Sequence, residues 1–344
     1  MRQSAGGHCD TYCTYICPML SISILALENA TAASVADACY VFTKVNEFLE
    51  RSGRRPAFHV QLLGQSTPVR LRDGLFSLHP DLLLNNAHKT DLVIIPALSG
   101  DMTSVAFRQE AYLSWIIRQY QMGAAIAALD TGAFLLAHTG LLNGKPCTTH
   151  WSYAQLFRNS FPAVKLLDEK IMTAHQGLYS SAGNNAYWNL LLFLVEKHTD
   201  RNMAVLAAKY FLTDLARNSQ LPYHMFNGLK EHTDETVKKA QRYIESHYHE
   251  KVTVDELADK LRLSRRTLER RFRKAIYHTV VEYIQRVKIE AAKKQLETGR
   301  KSIAEIMHDV GYTDIQAFRD VFRKMTDMTP LAYREHYMKD DSTL

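Results

Sequence analysis

The sequence predicts two domains, an α/β parallel-sheet sandwich followed by an all-α domain. Three observations carry this. Strand-like and helix-like periods alternate through residues 19–215, which is how a chain builds a parallel sheet covered by helices. From about residue 236 every periodic segment is helical, and that region holds only two glycines, Gly299 and Gly311. The charge divides at the same place. Residues 236–344 carry 23 Lys and Arg against 17 Asp and Glu, whereas the first 235 carry 19 of each, so the whole net charge of +6 sits in the last third. A neutral body with a basic end points to a polyanion-binding module. The 344 residues suffice for two cores, and a hydrophobic share of 46% excludes a disordered or collagen-like chain. No apolar run nears the roughly 18 residues of a membrane span. Five cysteines are too few for a disulfide scaffold.

Residues 1–18 fit nothing downstream. Cys9, Cys13 and Cys17 fall four apart beside His8, but a metal site needs a second ligand pair, and none follows. This segment is expected to be a disordered extension ahead of Met19. The apolar run Ile16–Leu27 has only Arg2 as a charged preamble and Glu28 directly after it, so it reads as a buried strand rather than a secretory segment.

The body, 19–215, alternates strands and helices. Ser21–Leu27 is short, apolar and β-branched, as a buried parallel strand should be. Thr31–Glu50 reads as a helix with Val35, Ala38, Val41, Phe42, Val45 and Phe48 on one face. Strands follow at Phe58–Leu63 and Asp91–Pro96, a helix at Thr103–Met122, a strand at Ala124–Leu129 and a helix at Gly132–Leu141. Ile171–Ala174 and Leu178–Ser181 are further strands, and Asn184–His198 a helix. In such folds ligands sit beyond the carboxyl ends of the strands.

The most informative turn runs from Ala127 to Gly144. A strand enters a helix through a single residue, Asp130, with Gly132 two positions later. That is the geometry of a nucleophile elbow, which lifts one side chain above the sheet beside a helix N-terminus. The stretch Thr131-Gly132-Ala133-Phe134-Leu135-Leu136-Ala137, then Gly140-Leu141-Leu142, Thr148-Thr149-His150-Trp151 and Ser180-Ser181-Ala182-Gly183, resembles the regulator subgroup of the ThiJ/PfpI branch of the class I glutamine-amidotransferase-like fold. The resemblance spans about 20–215 and implies a flavodoxin-like sandwich. It also implies a ligand pocket walled by Asp130, Thr131, His150 and Trp151; Asn29, Leu98 and Asn184 follow strand ends and are candidates for its rim. Enzymatic members carry Cys at the elbow tip, where this chain has Asp130. Neither Cys39 in the first helix nor Cys147 before the Thr-Thr-His-Trp segment replaces it. A carboxylate is a poorer nucleophile than a thiolate, so a catalytically inactive binding domain is expected. Asp130 also suits a helix cap, and capping and ligand contact are compatible.

Residues 216–235 break both periodicities at Asn218–Pro222, Asn227-Gly228 and Lys230–Glu235, and are expected to be a linker. Beyond it, Thr236–His247 is a helix and Thr253-Val-Asp-Glu256 a capping box. A turn at Arg262-Leu263 leads to the N-cap Ser264 and the basic helix Arg265–Ala275. Two short helices around a tight turn, the second strongly basic, describe a helix-turn-helix. The plan recurs with a second capping box at Ser302-Ile-Ala-Glu305, a turn at Gly311, a cap at Thr313 or Asp314, and a helix from Ile315 to Met325. Helix Val280–Leu296 joins the two units. Its length of about 25 Å suits two recognition helices on one DNA face.

Residues 236–337 resemble the AraC/XylS family. The match rests on the second unit, Ile303 to Lys324, closed by Thr329-Pro330-Leu-Ala-Tyr333-Arg334, and on Leu257-Ala258 and Ser264 to Phe272 in the first. The resemblance implies base contacts from Arg266, Glu269 and Arg270 in the first helix and from Ile315, Gln316 and Arg319 in the second. Arg265, Arg271, Arg273 and Lys274 are suited to packing edges or phosphates, and Arg323 and Lys324 face outward as further DNA contacts. Two positions depart from the family. Arg262 holds a turn position where Gly is usual, so a left-handed backbone is expected there. Asp320 stands where Arg is common, which weakens the second unit's attraction for phosphate.

The function this predicts is a transcription regulator with an inactive sensor domain. Its partners would be double-stranded promoter or operator DNA, an unidentified small-molecule effector, a second copy in a homodimer, and RNA polymerase if it activates. No cofactor, metal or membrane contact is expected, and the cytoplasm is the expected location. The alternative is an amidase or glyoxalase-like enzyme carrying a DNA-binding appendage. A third reading, a basic protein-interaction module, fits the two capped, basic units poorly.

Overall fold

The computed structural model describes residues 19–338, apart from 72–73, 105–108, 216–217, 227, 231 and 300. The cysteine run within 1–18 and the tail 339–344 lie outside the described residues.

The first domain is a seven-stranded sheet of β1 (Leu20–Ala26), β2 (Phe58–Gly64), β3 (Leu82–Leu83), β4 (Leu92–Ile95), β5 (Ala125–Ala128), β6 (Met172–His175) and β7 (Leu178–Ser181), in the spatial order β6-β7-β5-β4-β1-β2-β3. All pairs are parallel except the β6–β7 hairpin. That hairpin corrects the purely parallel expectation. Only Gln176 and Gly177, both at positive φ, separate its strands, too few for the crossover a parallel pair requires. The five longer parallel strands follow the doubly wound flavodoxin-like order. The order of strand addition reverses between β1 and β4, the switch point where such folds bind ligands.

Helix α1 (Ala32–Arg51) buries Val35, Ala38, Val41, Phe42, Val45 and Phe48, the face expected from its period. Truncating Phe42, fully buried, would cost about 3–5 kcal/mol. Helix α2 covers Glu110–Gln121, shorter than the expected Thr103–Met122. Thr103 and Ser104 are instead drawn into a turn by Asp101, whose carboxylate accepts the Thr103 amide (3.0 Å) and hydroxyl (2.7 Å). Helix α3 (Gly132–His138) follows the elbow, and α4 (Ala154–Ser160) follows the His150–Trp151 segment. Helices α5 (Tyr187–His198) and α6 (Arg201–Tyr210) pack on α1.

The second domain comprises α7 (Glu235–Ser246), α8 (Val254–Lys260), α9 (Arg265–Ile276), α10 (Val280–Thr298), α11 (Ile303–Asp309), α12 (Ile315–Thr326) and α13 (Pro330–Tyr337). Both expected capping boxes form, and a third joins Thr279 to Glu282 at the start of α10. Two cores result. Leu257, Leu268, Phe272 and Tyr283 belong to one, and Ile306, Val310, Phe318, Phe322 and Tyr333 to the other. α10 feeds its first half into one core and its second half into the other. At the changeover the Lys288 ammonium donates to the carbonyls of Tyr248 (2.6 Å), Glu250 (2.9 Å) and Val310 (2.8 Å).

The repeat extends beyond the helices. Left-handed residues close α9 at Tyr277 and α12 at Asp327, and Thr279 and Thr329 cap the helices that follow. Arg262 is left-handed at φ 55°, as expected, and its counterpart Gly311 has φ 74°. The difference between them is spatial. A Cβ on Gly311 would come 2.6 Å from the His249 carbonyl oxygen, whereas Arg262 is exposed. Asp314, not Thr313, caps α12, accepting the Ala317 amide at 2.6 Å.

The described residues of the expected linker, 216–235, are tied to both domains. Ser219 bridges Lys170, and the buried Gln220 donates to the Thr149 carbonyl at 3.0 Å. Phe226 and Leu229 pack on the first core of the second domain. A buried polar backbone demands partners, and both domains supply them.

Candidate functional sites

The elbow forms because β5 ends under a helix that starts at once. Asp130 sits at φ 53°, an uncommon backbone for a residue with a Cβ. Gly132 permits it, since a Cβ there would lie 2.5 Å from the Pro96 carbonyl oxygen. The Asp130 side chain is 6% exposed. Its Oδ2 accepts the Asn184 amide at 2.8 Å, while its Oδ1 is sealed from water with no partner among the described residues. Burial pushes the carboxyl pKa upward, against the pull of the Asn184 amide, of His150 and, least, of the Thr131 amide, which approaches the carboxylate without a full hydrogen bond. The backbone is fixed from both sides. The Asp130 amide donates to Ser181 Oγ (3.2 Å), and Thr149 Oγ1 donates to the Asp130 carbonyl (3.0 Å).

The other expected pocket residues divide. His150 lies with its ring against Gly183, where a Cβ would be 1.7 Å from its Cδ2, and its Nδ1 accepts the Ser152 amide at 3.1 Å. Asn29 holds Ser99 through its carbonyl (2.8 Å), and its side-chain Oδ1 is a second buried acceptor without a partner. Thr131 and Leu98 satisfy each other. The Thr131 hydroxyl donates to the Leu98 carbonyl and accepts the Leu98 amide, both at 2.7 Å, so this pair clamps the loop after β4 to the elbow. Trp151 stays beside His150, with ring centroids 5.4 Å apart. Its indole lies 5.7 Å from the His224 ring and faces a cavity shared with the second domain. Tyr187 was not foreseen. Its hydroxyl donates to Asp37 Oδ2 at 2.6 Å, and the Asp130 charge helps hold its pKa high, after burial and Asp37.

In the second domain, Arg266, Arg270, Arg273 and Lys274 on α9 are exposed. Arg265 is also exposed and pairs with Asp255 at 3.0 Å. Arg271 is spent on packing, gripping Asp234 with two bonds of 2.8 and 2.6 Å. Glu269 is half-buried and accepts the Val280 amide at 3.4 Å, so it braces α10 rather than standing free for a base. On α12, Arg319, Arg323 and Lys324 are exposed and Gln316 donates to Asp320 at 2.8 Å. Ile315 is half-buried and packs in part against the second core.

The profile of the DJ-1/PfpI family matches residues 43–197, and that of a helix-turn-helix domain matches 257–336. The chain joins a DJ-1/PfpI domain to an AraC-type helix-turn-helix domain. It is 27% identical to the HTH-type transcriptional regulator GbdR of Pseudomonas aeruginosa over 92% of this chain and 84% of that protein. It is 25% identical to the HTH-type transcriptional regulator CdhR of the same organism, covering 79% of this chain and 80% of that one. A solved chain from Vibrio parahaemolyticus shares the fold of the first domain, with a TM-score of 0.51 at 24% identity over 56% of this chain and 99% of that one.

Among the described residues the DJ-1/PfpI domain has no reactive thiol. Cys147 is fully buried and burial pushes its pKa to about 12; Cys39, half-buried in α1, is pushed to about 11. Neither can supply a thiolate near neutral pH.

Proposed function

We propose that the chain is a DNA-reading transcription regulator whose DJ-1/PfpI domain senses a small molecule and transforms none. The observation that carries this is the elbow. The tip holds a buried carboxylate with an orphaned oxygen, and no described thiolate can replace it as nucleophile. An acceptor without a donor favours a ligand bearing N–H groups or a cationic centre. Asp130, His150 and Asn29 are the residues proposed to meet it. Regulator relatives of similar length support the same reading.

The AraC-type domain reads double-stranded DNA through α9 and α12. Arg266 and Arg270 are proposed for base edges, since Arg can grip guanine bidentately, and Gln316 and Arg319 serve the second helix. Arg265, Arg273, Arg323 and Lys324 are proposed for phosphates, which position without specifying. Selection of duplexes from a random pool by the purified chain tests the reading. An enriched motif lost in Arg270→Ala is expected. Failure to enrich any motif, with Asp130-dependent hydrolysis of amides or turnover of glyoxals, would establish the enzyme instead.

A further inference from the structure

The cavity between the domains has no role in the elbow site or in DNA reading. It has a volume of about 350 Å³, within the range of small-molecule sites. The first domain contributes Trp151 and Arg158, and the second contributes Arg286, Ile289, Lys293 and Met325. Its cations are not equally engaged. Arg158 pairs with Asp168 at 2.6 Å, Lys293 with Glu290 at 3.1 Å, and Lys230 at the rim with Glu245 at 2.7 Å. Arg286 alone among these has no hydrogen bond or ion pair among the described residues, and its Nε is sealed from water without a partner. Of the acidic charges that act on it, Asp168 and then Glu282, the stronger is already bonded to Arg158. Arg286 is half-buried, and a guanidinium whose Nε is sealed without a partner favours an anion that meets it.

We propose that this cavity is a second ligand site, for a small carboxylate with an apolar body, in which Arg286 grips the carboxylate and Trp151 and Met325 hold the body. A guanidinium matches a carboxylate with two parallel hydrogen bonds. His224 and His278 line the same space as neutral rings, each held down to about 4 mainly by burial, so they add no competing positive charge at neutral pH. The site lies where an occupant is felt by both domains. Trp151 follows His150, the elbow histidine, and Arg286 stands on α10 between the two reading units. An anion here stiffens the contact between sensor and reader without touching Asp130.

The test uses the intact chain labelled with 5-fluorotryptophan, which has three tryptophans, and benzoate as probe. Benzoate at millimolar concentration should shift the Trp151 fluorine signal saturably, with those of Trp115 and Trp188 unmoved. Benzamide and benzylammonium, of similar size, should not shift it. Arg286→Met should weaken benzoate about tenfold or more, and Arg286→Lys should recover part of the loss. Equal shifts from benzoate and benzamide, no shift of Trp151, or unchanged affinity in Arg286→Met would overturn the proposal. If Arg286→Met does not fold, the three probes on the native chain still decide. The readout needs neither DNA nor turnover, so its failure is distinct from failure of the regulator reading.

Discussion

At the scale of single residues, backbone and burial decide what a side chain can do. Asp130 is held in a left-handed elbow, desolvated, with one oxygen satisfied and one not. Asp130→Asn keeps the shape and removes the charge. Titration of the purified variant with the native chain's effector should show a loss of about tenfold or more in affinity for a cationic ligand, with no turnover in either protein. Unchanged affinity would reduce Asp130 to a tie between the elbow and Asn184. Arg262 and Gly311 make a second pair. Both are left-handed, but only Gly311 is crowded by a carbonyl. Arg262→Gly should raise stability by about 1 kcal/mol by removing strain, and Gly311→Ala should lower it by about 2 kcal/mol or more through strain and clash. Urea denaturation of each variant checks both signs.

At the scale of elements, α10 organises the reader. Lys288→Met removes the ammonium that serves three carbonyls at the changeover between cores, and should cost about 3 kcal/mol in thermal or urea unfolding. The two reading helices should contribute unequally. Arg270 is exposed and unencumbered, whereas Gln316 is tied to Asp320, whose charge also repels phosphate. Arg270→Ala should cost about 1–3 kcal/mol in DNA affinity and relax one base preference. Gln316→Ala should cost less, which competition binding on the selected duplex would measure.

At the scale of the whole molecule, the sequence foretold much and for physical reasons. Periodicity located the sheet and α1, because burial of one face imposes it. Capping boxes and the Arg262 turn were visible because their chemistry is local. The Asp130 elbow was visible because one Gly and one strand–helix junction define it. The contacts of Glu269 with α10, of Ile315 with the second core and of Trp151 with His224 were not visible, because tertiary packing brings those partners in. The cleft was not visible at all, since Arg158 and Arg286 belong to different domains and no spacing links them. The same cleft sets the pH response. His224 and His278 fall from the ordinary 6.5 to about 4 on folding, chiefly through burial. The unfolded chain therefore binds more protons between those values. Their contribution to stability is complete above about pH 6.5 and is lost as pH falls toward 4. Melting temperature should drop across that window, and His278→Leu should flatten the drop.

Two reading units on one rigid spacer should leave a double footprint, which hydroxyl-radical cleavage of the selected duplex bound by the intact chain would reveal. Two protected major-groove segments about one helical turn apart, on one face of the DNA, are expected. Protection should fade steeply with added salt as counterions return to the phosphates. A single protected segment, or protection indifferent to salt, would contradict this arrangement.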